Sequence, residues 1–298
     1  MRAFSRIGGR TGYMLYRMDI SRMSRSISCL VVLLTVVCGT TAAGSKNGLY
    51  QARTFVTGQT EANRGFGFGQ CLIDVLVKVS GDPRLIDDPG VAAMAGEAGT
   101  FVSAFRYRDL MGGIPLHDEQ GTRDRPYELT VNFHPAKIDA ALQRLGRKPW
   151  TASRPRIVVF LGVRHGTNTY TLTSDGDRGP GMREALAEAA ERVGMPMALP
   201  GLSALAKAGP NFEKSPAPDL PSLNTMAKAV GGDVALAGSL VWSEEALGWI
   251  ADWRLGGSER TYRWQIRGVN FDDAFRSAMR GAVQILSGHG QPAGTADP

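Results

Sequence analysis

Cysteine is scarce in this 298-residue chain, with Cys29, Cys38 and Cys71 as the whole set. The first two lie in a segment expected to be removed, and the one thiol left cannot form an internal disulfide. Cys71 sits in an apolar helical stretch and reads as a buried structural thiol. Metal-ligand spacing is missing as well. His117, His134, His165 and His289 fall in separate loops or the tail, and none has a partner at i, i+4. No G-x-S-x-G turn marks a nucleophile. A Ser-His-Asp set has no local signature, so the sequence leaves that arrangement open. No Lys-Ser/Thr pair completes a phosphate loop. No catalytic residue, metal or cofactor is therefore expected.

Charge of one sign is also lacking once its location is considered. The formal net charge is +6, but residues 1–43 hold six arginines and one acid, Asp19. The remainder carries 28 Lys and Arg against 27 Asp and Glu, with no basic run longer than two residues. A nucleic-acid surface must neutralise several phosphates, and this near-neutral chain is not expected to bind one.

Ile27 to Cys38 is an apolar run of twelve residues, preceded by Arg22 and Arg25 and followed by Gly39-Thr40-Thr41-Ala42-Ala43. A basic region, a short apolar run and small residues are the parts of a secretory signal. The run is shorter than the roughly 20 residues that span a bilayer. Cleavage is expected after Ala43, leaving no transmembrane span, and the expected location is periplasmic. An uncleaved membrane anchor is the alternative. Met14, Met18 and Met23 are in frame, and translation is expected to begin at Met18 or Met23.

Hydrophobic period predicts the rest. Strands are expected over 50–56, 127–133, 156–163, 168–173, 197–199, 233–242, 249–255 and 262–266. Helices are expected over 61–79, 90–108, 136–145, 182–194, 223–230 and 272–286. Trp249, Trp253 and Trp264 share one face of the last strand pair and read as sheet core under the final helix, with Asp252, Arg254, Arg263, Gln265 and Arg267 on the solvated face. Strands and helices mix without strict alternation, so the class is α+β. The predicted architecture is two small mixed sheet-and-helix units, the second with an antiparallel Trp-rich hairpin and a closing C-terminal helix. The expected divisions are a signal over 1–43, units over 44–150 and 151–287, and a disordered tail over 288–298.

Two glycine-rich stretches have the composition of a ligand loop. Gly65, Gly67 and Gly69 do not have G-x-G-x-x-G spacing and lie inside a helix, so close helix packing is the reading. Gly176, Arg178, Gly179, Gly181 and Arg183 precede a helix, whose N-terminal N–H groups favour anions. These five are the candidate ligand-binding residues. Asp175 and Asp177 supply too few carboxylates for a calcium loop.

Leu49-Tyr50-Gln51-Ala52, Val75-Leu76-Val77-Lys78-Val79-Ser80-Gly81, Trp150 and Arg154-Pro155 resemble a bacterial family of exported proteins, domain of unknown function 2066. The likeness runs over about 48–163. That family tends to have helix formers where Gly65, Gly67 and Gly69 stand here, which predicts an irregular start to that helix. Further on, Gly232-Asp233-Val234-Ala235-Leu236-Ala237-Gly238-Ser239 is similar to envelope domains like the N-terminal domain of TolB and the curli-secretion lipoproteins. The resemblance implies contact with an envelope protein partner. The function expected is a non-catalytic periplasmic protein-interaction module, with a small-ligand or anion binder using 176–183 as the alternative.

Mass spectrometry of a C-terminally tagged precursor and its mature form is expected to find a precursor beginning at Met18 or Met23 and a mature terminus at Gly44. Peptides covering Met1 to Arg17 would overturn the later start.

Overall fold

Tyr127, Leu129, Val131 and Phe133 alternate along the strand that organises the first half of the fold. In a computed structural model, the structure describes residues 46–113, 117–118, 121–122, 125–208, 219–256, 260–292 and 294. The segment expected to be an export signal lies outside them. A single-turn helix, α1 (Lys46–Leu49), precedes β1 (Gln51–Thr57) and α2 (Glu61–Ser80). The Asn63 N–H donates to Thr60 Oγ1 to cap α2, and Gly81, with φ 75°, ends it. Then come α3 (Pro89–Gly96), β2 (Val102–Asp109), a two-strand pair β3 (His117–Asp118) and β4 (Gly121–Thr122), β5 (Pro126–Phe133) and α4 (Pro135–Arg144). β5 is the centre of an antiparallel sheet in the order β1-β5-β2. α2 and α4 cover one face and bury Leu72, Val75, Leu76, Leu129, Val131, Ile138 and Leu142.

Two expectations change here. The helix expected over 90–108 stops at Gly96, and Val102–Asp109 is a strand. Period two prevails because Phe105 and Tyr107 pair with Val131 and Leu129 on the covered face. Their rings continue an edge-to-face row from Phe68 through Phe105 and Tyr107 to Tyr127. The start of α2 is regular despite its three glycines. A Cβ at Gly67 would lie 2.6 Å from Leu129 Cδ2, so the helix meets β5 there at backbone distance.

The second half is built on β6 (Ile157–His165), which is apolar almost throughout because both its faces are covered. β7 (Asn168–Leu172) pairs with it antiparallel. After α5 (Pro180–Arg192), β8 (Met197–Ala198) adds a short parallel pairing. α6 (Leu202–Ala208) and α7 (Leu220–Ala229) follow, and α6 falls where no helix was expected. β9 (Val234–Ser243) runs parallel to β6, and β10 (Gly248–Gly256) and β11 (Thr261–Val269) continue antiparallel. α8 (Phe271–Leu286) closes the chain. The sheet order is β11-β10-β9-β6-β7. Ile157, Val159, Leu161 and Val163 face the core with α5 and α8, while Val158 and Phe160 meet Leu223 and Ala227 of α7.

The fold is thus α+β, with the Trp-rich hairpin under the final helix. Trp253 and Trp264 are buried, and Trp264 Nε1 donates to Ser277 O at 3.2 Å. The tail is a correction. Residues 288–292 and 294, expected to be disordered, run beside β11. Gln291 Nε2 donates to Arg263 O at 2.6 Å and the Gln265 N–H to Gly294 O at 2.9 Å. Those bonds cover an edge strand that would otherwise present free backbone groups. Both halves belong to one compact unit, Gly44–Pro298. Among the described residues, no helix is long and apolar enough to cross a membrane.

Gly281 lies in α8 against the Trp264 indole, where a Cβ would stand 2.5 Å from Cε2. Helix propensity alone would reward Gly281→Ala by about 1 kcal/mol. Trp264 has no room to retreat, so the substitution is expected to cost about 1–3 kcal/mol net. A urea denaturation midpoint that rises instead would contradict this packing.

Candidate functional site

The segment between the halves places the site. Trp150 N–H donates to Val79 O at 2.8 Å, which ties the linker to the last turn of α2. Arg154 then lies over the Trp150 ring, 4.3 Å from its centroid. Its guanidinium donates to Lys78 O at the end of α2 and to Val193 O just beyond α5. Burial lowers its pKa to about 10, so it stays charged at neutral pH. Beside it Lys78 Nζ donates to Gln51 O at 2.8 Å, and Arg192 reaches Asp74 at 3.6 Å.

Below this seam the C-terminal ends of α2, α4 and α8 converge around a cleft of about 500 Å³. Ser80, Arg84, Gly146, Arg147, Lys148 and Trp150 line it from the first half and the linker, and Ser287 and His289 from the end of the chain. Helix C-termini carry partial negative charge, which suits cations there. Asp82 is fully buried behind them. Its carboxylate accepts from Arg84 Nε and Nη2, at 2.7 and 2.8 Å, and from Arg147 Nε at 2.7 Å. Burial raises the Asp82 pKa, but the hydrogen bonds from Arg84 and Arg147 outweigh it and hold the group down at about 2.

Ser287, His289 and Asp82 form a set that resembles a catalytic triad and acts as a latch. Ser287 Oγ lies 2.8 Å from Gly81 O, to which it donates, and 2.7 Å from His289 Nδ1. The Ser287 hydroxyl has Gly81 O and Gln284 O as carbonyl acceptors beside the imidazole, and the direction of its contact with Nδ1 follows the imidazole tautomer. His289 Nε2 is 4.0 Å from Asp82 Oδ2, whose lone pairs serve the arginines. Burial lowers the His289 pKa, against the pull of Asp82.

The structure brings Gly176, Arg178, Gly179, Gly181 and Arg183 together at the start of α5, with Arg178 exposed and Arg183 half-buried. Arg183 Nη1 donates to Arg178 O at 2.7 Å. Arg178 lies over Tyr170 and within 3.4 Å of Thr169 O. Gly179, with φ 67°, takes the left-handed conformation that turns the chain into the helix, and a Cβ there would press Leu172. Here the guanidinium groups close the loop on itself. Cys71 is buried, and burial followed by the Asp74 charge pushes its thiol up to about 12. His165 packs against Trp242 and Trp249, and the His117 side chain lies outside the described residues. Among the described residues no group of three His, Cys, Asp or Glu side chains is placed to hold a metal.

Sequence reasoning missed Arg84, Arg147, Lys148 and His289. The Arg147-Lys148 pair between Gly146 and Trp150 was the one local signal. Gly81 and Ser287 are 206 residues apart, a distance no periodicity bridges.

Fold and cleft together define an α+β protein with a cationic cleft at the meeting point of three helix ends. Residues 43–151 match the model of a family described as domain of unknown function DUF8605. That stretch holds α1, the β1-β5-β2 sheet, its helices and the Trp150 side of the cleft. Comparison with curated proteins finds no match.

The low pKa of Asp82 makes stability depend on acid. Its folded value lies below the ordinary 3.8, so on acidification the unfolded chain takes up the proton first. The contribution, about 2 kcal/mol, is whole above about pH 4 and lost as pH falls through about 2. Denaturant midpoints between about pH 5 and pH 2 should fall more steeply for the native chain than for Asp82→Asn. Equal slopes would show that the carboxylate is not held as described.

Proposed function

We propose that this chain is an exported, non-catalytic binding protein of the bacterial envelope, and that it engages an acidic group of its partner in the cleft between the two halves. The observation that carries this reading is the composition of the cleft. Arg84, Arg147 and Lys148 surround it with one carboxylate, Asp82, which is buried and already shared by the two arginines. Pro149, Trp150 and Ala152 give it an apolar side. Recognition sites commonly join a few placed polar groups to such a wall. Export is supported by the basic, apolar and small-residue order of 1–43 and by the resemblance of 48–163 to exported proteins, and contact with an envelope partner by the resemblance around Gly232 to Ser239.

The test is titration with a tetraglutamate peptide, followed by thermal shift and calorimetry. Lys148→Glu is expected to weaken binding at least tenfold, about 1.4 kcal/mol, while Arg178→Glu with Arg183→Glu leaves it unchanged. Loss in the double variant alone would move the site to the 176–183 loop. Binding by the native chain that no variant alters, or no binding at all, would overturn the reading.

A further inference from the structure

The cleft holds more positive charge than its own architecture consumes. Three helix ends meet there, and several of their last carbonyls are already served. Lys78 O accepts from Arg154, Val79 O from the Trp150 N–H, and Gly81 O from Ser287 Oγ. At the end of α4 the Arg147 N–H donates to Leu142 O. Past α8 the Ser287 and His289 N–H groups donate to Val283 O and Gln284 O. Asp82 uses Nε and Nη2 of Arg84 and Nε of Arg147. Arg84 Nη1 and the Lys148 ammonium have no hydrogen-bond partner among the described residues. Three cations against one carboxylate leave an excess of two positive charges beside a cavity of about 500 Å³.

We infer that the cleft takes a phosphate monoester, a reading that rests on the proposal that it binds an acidic group at all. A phosphate monoester carries about −1.5 to −2 at neutral pH, which matches the excess, whereas a carboxylate neutralises half of it. Its tetrahedral oxygens accept from a guanidinium edge and an ammonium at once. Asp82 holds Arg84 through Nε and Nη2 and Arg147 through Nε, and Arg147 Nη1 also reaches Leu145 O, which leaves Arg84 Nη1 and the Lys148 ammonium for the ligand, so the site is organised before the ligand arrives. The cavity is larger than the anion alone, and Pro149, Trp150 and Ala152 supply an apolar wall for the group that carries it. The same headgroup chemistry comes from a soluble ester or from a lipid such as phosphatidic acid.

The experiment compares phenyl phosphate with benzoate, the same ring bearing a single negative charge, by calorimetry on the mature chain. Phenyl phosphate is expected to bind at least tenfold more tightly, and Lys148→Glu and Arg84→Gln each to lose at least tenfold. Lys148 is exposed and takes no part in the latch, so its variant keeps the fold, and circular dichroism checks this. Competition by vesicles containing phosphatidic acid would support the inference with a lipid as source, and lack of competition would support it with a soluble ester. Benzoate binding as tightly as phenyl phosphate, with both dependent on Lys148, overturns the phosphate inference and leaves the acidic-group reading standing. If neither ligand responds to Lys148→Glu or Arg84→Gln, both fail.

Discussion

Arg154 is the contact on which the rest of the arrangement depends. One guanidinium joins the last turn of α2, the chain beyond α5 and the Trp150 ring. Among the described residues no carboxylate answers it. Two carbonyls and an aromatic face replace its hydration, so its position is set by hydrogen-bond geometry as much as by charge. Losing it would remove a donor from Lys78 O and Val193 O and leave Trp150 without its stacking partner. The two sheets have separate cores and no shared strand, so this polar seam sets their relation.

The cleft follows from that relation. Once Arg154 and Trp150 fix the linker against α2, Arg147 and Lys148 are carried to the end of the same helix, where Asp82 waits behind Arg84. The end of α8 arrives from the other half and is locked by Ser287 on Gly81. Helix C-termini attract cations, and a buried carboxylate needs them, so two ordinary demands gather the same side chains in one place. The surplus beyond those demands separates a binding surface from a structural knot. The 176–183 loop shows the opposite case. It has arginines and a helix N-terminus, yet its guanidinium groups are turned to carbonyls of its own segment.

The elements with one clear period were legible from residues alone. β5, β6, α2, α5, α8 and the Trp-rich hairpin follow their hydrophobic patterns within a few residues, because burial on one or two faces imposes those patterns directly. Val102–Asp109 was misread because Val91, Met94, Phe101, Val102 and Phe105 also suit a helix. The strand prevails only when Phe105 and Tyr107 meet Val131 and Leu129. The tail was misread because Ser287–Pro298 is small and polar, and the order of residues 288–292 and 294 comes from the open edge of β11.

By itself the sequence determined the α+β class, the burial of Cys71 and the Trp-rich core, along with the near neutrality of everything after residue 43. Each of these is a local property of composition or period. Only the tertiary structure decided that Arg178 and Arg183 reach carbonyls of their own segment, and that Asp82, Arg84, Arg147, Lys148 and His289 gather at one place. Long-range placement of charge depends on how helix ends converge, and no local pattern encodes that convergence.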